Sequence, residues 1–188
     1  MSPKVDFFYK EEFSSFFNDL HRGNFGRACP DQSDKPHDFP GRGGTVFCVA
    51  TGNQTVRITN EVSKYEMQPG MYGAIQTPAK IEGGMFWYVF VEGYECLNGI
   101  GGPLEHTGRL RYIDGCTDSL ILPPVIKGDP CLNLLYFPPS TDQTFHTHPS
   151  CRIGLVVSGH GICHEKSGET ILEEGLAFYL PKDAIHRF

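Results

Sequence analysis

Hydrophobic positions follow two different rhythms along this chain. Over residues 10–21, Phe13, Phe16, Phe17 and Leu20 recur at i, i+3, i+4 and i+7, the spacing of one apolar stripe on a helix. The spacing predicts a short N-terminal helix that covers a face or an end of a sheet. Residues 22–43, rich in Gly, Pro, Asp and Arg, read as loop. From Gly44 onward the apolar residues come instead in short β-branched and aromatic runs, at 45–50, 55–59 and 85–91, separated by turn signals at 51–53 and 68–70. Residues 98–130 are irregular, with one short strand expected at 109–113. Strands are expected again at 132–137, 144–148, 153–158, 161–164, 170–172 and 176–180. The chain therefore reads as all-β apart from its first helix.

The two strand-rich stretches resemble each other. The run ending at Gly52 is similar to that ending at Gly159, and the turn at Gly70 is similar to that at Gly175. The near-constant offset suggests an internal duplication. The organisation expected is a helix and loop over 1–43, one β unit over 44–97, a connector over 98–130 and a second β unit over 131–188.

Composition agrees with this and removes some functions. The 22 glycines and 14 prolines suit short strands joined by tight turns better than helices. A net charge of −6, without a basic run, argues against nucleic acid or an anionic membrane as the main partner. No stretch has the apolar length of a transmembrane helix, and the N-terminus lacks the pattern of a signal peptide, so a cytoplasmic location is expected. Seven cysteines with no C-x-x-C pair make a poor disulfide framework, and most are expected to be reduced and buried. The Phe86-Trp87-Tyr88 cluster reads as core.

The candidate chemistry lies in the last third of the chain. His146 and His148, at i and i+2 on an expected strand, share a face. A histidine from a neighbouring strand would complete a three-nitrogen cap for a transition metal. The segment Ser140-x5-His146-Thr-His148-x3-Arg152-x6-Gly159 and the segment Gly175-x5-Pro181-Lys-Asp183-x2-His186 have the spacing of the two cupin motifs. Over residues 131–188 the chain thus resembles the cupin superfamily, and residues 44–95 resemble it faintly. Ser140 and Asp183 stand where the family has glycine, at turns that another residue tolerant of left-handed backbone can serve. Arg152 stands where the family has an acidic ligand, and a guanidinium offers a metal no lone pair.

The resemblance implies a double-stranded β-helix (jelly-roll) barrel, in two tandem units, with His146, His148 and His186 holding a divalent metal. Cupins with three histidine ligands include thiol dioxygenases and diketone-cleaving oxygenases, so iron(II) comes first, with Zn, Ni, Mn and Cu as alternatives. The implied activity is oxidation of a small anionic or thiol substrate, with Arg152 pairing to its carboxylate. The alternatives are a non-catalytic cupin that binds a sugar or metabolite, and a metal-dependent isomerase or lyase. Pairing as a homodimer is implied as well. In the first unit the H-x-H positions fall on Phe39 and Gly41, so that unit is expected to be structural. The family's barrel needs the strand that begins at His186. Closure is therefore expected from residues past Phe188, from the N-terminal half or from another chain.

Overall fold

The structure, a computed structural model, describes residues 3–8, 14–17, 21–28 and 36–188. In chain order its strands are β1 (Asp6–Phe8), β2 (Ser14–Phe17), β3 (Arg22–Ala28), β4 (His37–Phe39), β5 (Gly44–Ala50), β6 (Val56–Asn60), β7 (Lys64–Met67), β8 (Tyr72–Gln76), β9 (Ala79–Gly83) and β10 (Phe86–Glu92). They continue with β11 (Gly99–Gly101), β12 (Leu110–Arg111), β13 (Thr117–Leu122), β14 (Leu132–Tyr136), β15 (Arg152–Leu155), β16 (His160–Glu165), β17 (Gly168–Glu173), β18 (Ala177–Leu180) and β19 (His186–Arg187). Among the described residues the one helical piece is a 3-10 turn at Ile113–Gly115, so no helix is long and apolar enough to cross a membrane.

All strand pairing among the described residues is antiparallel. A six-stranded sheet, in the order β11-β8-β5-β10-β3-β2, packs on a four-stranded sheet, β4-β9-β6-β7. Between them lies a core of Val46, Cys48 and Ile75 from the first sheet and Phe39, Ile58 and Ile81 from the second, with Phe86 and Tyr88. Strand alternation assigns β10 two duties. Its even residues Phe86 and Tyr88 fill this core, while Trp87 and Val91 point to the other face of the sheet. There they join Phe16, Phe25, Phe47 and Ala177 in a second core, against which Leu132, Ile153 and Tyr179 pack. The two halves of the chain thus meet in this second core.

Three small sheets complete the C-terminal half: β12-β13-β14, β17-β16-β19 and β1-β18-β15. The last is built from both ends of the chain. Phe7 pairs with Phe178 in register, Val5 is buried, and its N–H donates to the Glu165 carboxylate at 2.7 Å. The N-terminal strand therefore covers an edge that β18 would otherwise expose. Gly154 sits opposite Phe178 on the other side, where a Cβ would run into the Phe178 ring.

Several expectations are corrected. Within the expected helix, Ser14–Phe17 forms β2, paired with Arg22–Phe25; residues 10–13 and 18–20 lie outside the described residues. Phe16 still reaches the core, but from an extended chain, because the edge of β3 supplies a ladder that helix periodicity does not reveal. The expected loop over 22–43 contains β3 and β4, and the connector contains β11, β12 and β13. The strand expected at 109–113 is reduced to Leu110–Arg111. Residues 144–148 form no strand; only His146 makes a bridge. The aromatic cluster behaves as expected, with Phe86, Trp87 and Tyr88 all buried. Cys48, Cys96, Cys116 and Cys163 are free and buried, and Cys29 lies outside the described residues.

The shared core gives a test. Phe25→Ala should destabilise the protein by about 3–5 kcal/mol, the usual range for emptying a buried aromatic site. Trp87 is the one tryptophan of the chain and is 6% exposed within that core. Its fluorescence change on heating should coincide with loss of the β-sheet circular dichroism signal. Two separate transitions would show that the halves unfold independently.

Candidate metal centre

The backbone brings the three histidines together before their side chains do. His146 and His186 form an isolated antiparallel bridge, the His146 N–H donating to the His186 carbonyl at 3.0 Å and the His186 N–H to the His146 carbonyl at 3.1 Å. Directly paired residues project to the same side. His148 is two positions on, and the Asp183 N–H donates to its carbonyl at 2.9 Å, tying it to the turn that leads into His186. The imidazole centroids lie 4.5 Å (146–186) and 5.1 Å (146–148 and 148–186) apart. One nitrogen from each lies within 4.8 Å of the others.

The ring orientations are held in the same way twice. Nδ1 of His146 lies 2.9 Å from the Thr144 carbonyl, and Nδ1 of His186 lies 2.9 Å from the Ala184 carbonyl. A carbonyl can only accept, so each Nδ1 carries the proton and each Nε2 keeps its lone pair. His186 is wholly buried, and its Nε2 has no hydrogen-bond partner. A buried polar atom left unpaired is costly and rare in native proteins. A metal ion accepts that lone pair, so the donor set fits a divalent transition metal bound by imidazole. Burial lowers the pKa of His186, and the proximity of His146 adds to the effect against its bond to the Ala184 carbonyl. Burial lowers His148 further, to about 4, helped by Arg152, His186 and His146. Both effects favour the neutral, ligating form of the two rings.

The turns around the centre explain the substitutions in the motifs. Ser140 has φ 64 and Asp183 φ 60, in the left-handed region that favours glycine, as do Gly159 at φ 83 and Gly175 at φ 86. All four landmarks are positions where the chain must turn tightly. Residues 143–148 form no continuous strand: Gln143, His146 and His148 find backbone partners in Phe188, His186 and Asp183, and Thr144 bonds to a side chain. The Thr144 N–H and hydroxyl both donate to the Asp114 carboxylate, at 2.7 and 2.8 Å. The buried Gln143 exchanges bonds with the backbone of Phe188 and donates to Cys116. Asp114 and Cys116 lie in the stretch expected to be a connector, and no spacing in the sequence points from there to the histidines.

Arg152, at the start of β15, is exposed and donates to the Ser150 hydroxyl at 2.5 Å and the Cys151 carbonyl at 3.2 Å. Its charge contributes to lowering His148 and also bears on Tyr112, Asp118 and Cys131. Asp118 has a buried carboxylate oxygen without a partner, and burial raises its pKa. Cys151 bonds to Tyr179, which packs on the core between the halves. His160 is exposed, and His164 lies 2.9 Å from Glu169 on the adjacent strand, so neither joins the cluster. A cavity of about 670 Å³ lies elsewhere, in the N-terminal half, between Arg22, His37, Tyr88, Phe90 and the 40–43 loop. Its rim charges are already paired, Arg22 with Glu92 and Arg42 with Glu61.

Residues 133–188 match the family model of the cupin domain. No curated protein matches the chain. Among solved structures, a cupin 2 conserved barrel domain protein from Leptotrichia buccalis superposes with a TM-score of 0.61 at 15% identity, covering 100% of this chain and 83% of that one. A putative glyoxylate-induced protein from Pseudomonas aeruginosa gives 0.68 at 14% identity, covering 99% and 78%. A salicylate 1,2-dioxygenase from Pseudoaminobacter salicylatoxidans, crystallised with gentisate, gives 0.68 at 10% identity, covering 100% and 79%. At these identities the likeness is one of fold.

Two outcomes are expected. Elemental analysis should find close to one divalent metal per chain, lost in His146→Ala and His148→Ala and kept in His164→Ala. In the metal-free protein, the folded-state pKa of His148 lies near 4 against 6.5 in the unfolded chain. As the pH falls below 6.5 the unfolded chain takes up this proton first. The stability owed to neutral His148 is therefore complete above pH 6.5, falls towards pH 4 and declines no further below it. Thermal unfolding should show a steeper loss over that window in the wild type than in His148→Asn.

Proposed function

We propose that this cupin is a metal-dependent oxygenase, with His146, His148 and His186 holding iron(II) and a small anionic or thiol compound as substrate. The observation that supports this most is the set of three neutral imidazole donors with no carboxylate among them. Three neutral ligands leave the charge of a divalent ion uncompensated, which favours an anionic group on the substrate. The likeness in fold to a salicylate 1,2-dioxygenase is consistent with such a substrate. Iron(II), when bound, would supply Lewis acidity, one-electron chemistry towards dioxygen and open coordination positions.

The chain's own residues have separable roles in this reading. The Thr144 and Ala184 carbonyls hold two of the rings as Nδ1–H tautomers. Burial favours the neutral, ligating form of His148 and His186. Arg152, next to the cluster and always charged, pairs with a substrate carboxylate and orients it. We also propose that the chain carries two cupin units, of which only the second holds metal.

The test is oxygen uptake by the iron-loaded protein over a panel of thiols, diketones and aromatic or aliphatic hydroxy acids. Turnover is expected for at least one class and should vanish in His148→Ala. Arg152→Ala should raise KM for a carboxylate substrate by roughly 10- to 100-fold, the usual worth of a charge-assisted hydrogen bond, with a smaller effect on kcat. Thermal stabilisation by one of these compounds without oxygen uptake would move the protein to the class of ligand-binding cupins. Product formation without oxygen uptake would make it an isomerase or lyase.

A further inference from the structure

The 3-10 turn at Ile113–Gly115 lies some thirty residues before the histidines, in the connector between the halves. We infer that Asp114, on this turn, is a positioning residue for the three-histidine centre, acting on His146 through Thr144. The inference rests on the metal-binding reading above.

Three observations meet at this residue. First, Asp114 holds φ 50 and ψ 42, left-handed backbone that a non-glycine residue adopts only at a price in strain, though Asp and Asn tolerate it best. That conformation turns the carboxylate towards residues 143–146. Second, one carboxylate oxygen accepts from both the N–H and the hydroxyl of Thr144, at 2.7 and 2.8 Å. The two bonds lower the pKa of Asp114, so it stays ionised and acceptor-only. Third, the carbonyl of the same Thr144 is the acceptor 2.9 Å from Nδ1 of His146.

The chain of contacts is thus carboxylate to Thr144 to imidazole. Residues 144 and 145 have no strand partner, so Asp114 supplies the anchor that a ladder would give. The neighbouring contact strengthens the case. Cys116, two residues on, receives a hydrogen bond from Gln143, and the turn itself is closed by the Cys116 N–H on the Ile113 carbonyl at 3.0 Å. The turn therefore grips residues 143 and 144 side by side, next to a metal ligand. Partners of this kind orient a ligating histidine and fix its tautomer, and their loss commonly weakens metal binding by roughly 10- to 100-fold.

The experiment compares Asp114→Gly, Asp114→Asn and the wild type. Glycine keeps the left-handed backbone without strain and removes the acceptor. Asparagine keeps an acceptor oxygen and tolerates the same backbone. Zn(II) affinity is measured by competition with a chromophoric chelator. The histidine tautomers of the metal-free proteins are read from long-range ¹⁵N–¹H NMR correlations. Expected are about 10-fold weaker Zn(II) binding in Asp114→Gly, loss of the single Nδ1–H tautomer of His146 in that variant, and near-wild-type behaviour in Asp114→Asn. Unchanged affinity together with an unchanged His146 signal in Asp114→Gly would overturn the inference. If the wild type itself binds no Zn(II), the metal reading fails, and the His146 signal alone then decides the role of Asp114. Should Asp114→Gly not fold, Thr144→Val, which removes the hydroxyl bond alone, carries the comparison, with a smaller change in both readouts expected and no change overturning it.

Discussion

One residue pair organises the C-terminal half: the bridge in which His146 and His186 exchange both backbone hydrogen bonds. An antiparallel pair of this kind has its two side chains on the same side, and the residue two along joins them. The convergence of three imidazoles is therefore a property of the backbone. Side-chain bonds are left with the smaller task of turning the rings, and both bridged histidines are turned by the carbonyl two residues before them. Burial then does the rest. It strips His186 of water, leaves its Nε2 without a partner and disfavours the protonated forms of His148 and His186. A site built this way presents three imidazole nitrogens to one point, a donor set that suits a divalent metal.

The parts that were legible in the sequence are those where backbone geometry imposes a residue type. Ser140, Gly159, Gly175 and Asp183 all have left-handed φ, and so the motif spacing survives even where two of the glycines have been replaced. The histidines follow because they sit at fixed distances from those turns. Most strands of the second half were legible through alternation and bounding turns, whereas 144–148 forms no strand and the short β19 was not expected. What was hidden depends on partners distant in the chain. The helical spacing of Phe13, Phe16, Phe17 and Leu20 gave no hint that Ser14–Phe17 would pair with β3. The glycine-rich stretch at 22–28 looked like loop because glycine has low strand propensity, yet it pairs along its whole length with β10 and sends Phe25 into the second core. Asp114 could not have been linked to His146 by any local pattern, since the contact spans thirty positions.

The strand pairings of the first half recur in the second. β5 pairs with β8 as β15 does with β18, β6 with β7 as β16 does with β17, and β6 with β9 as β16 does with β19. The bridge between 146 and 186 has its counterpart 107 positions earlier, where Phe39 pairs with Ala79. Both of those residues are buried in the first core. At the place where the second half gathers nitrogen donors, the first half packs an aromatic ring and a methyl group. Neither Phe39 nor Ala79 carries a side-chain atom that ligates a metal.

The first half nevertheless acts on the centre. β1 clamps β18 from one side while β15 holds it from the other, and β18 runs directly into the Pro181–Asp183 turn whose N–H fixes the His148 carbonyl. The connector turn holds Thr144 from the opposite direction. His146 therefore has a support outside the two motifs, in the link between the halves, and the strand that leads to the His148 turn is flanked by the N-terminal strand. The short cupin signature supplies the donors, but their geometry depends on the whole chain. The family model accordingly covers only residues 133–188, where the ligand spacing lies, while the likeness in fold extends over the full length.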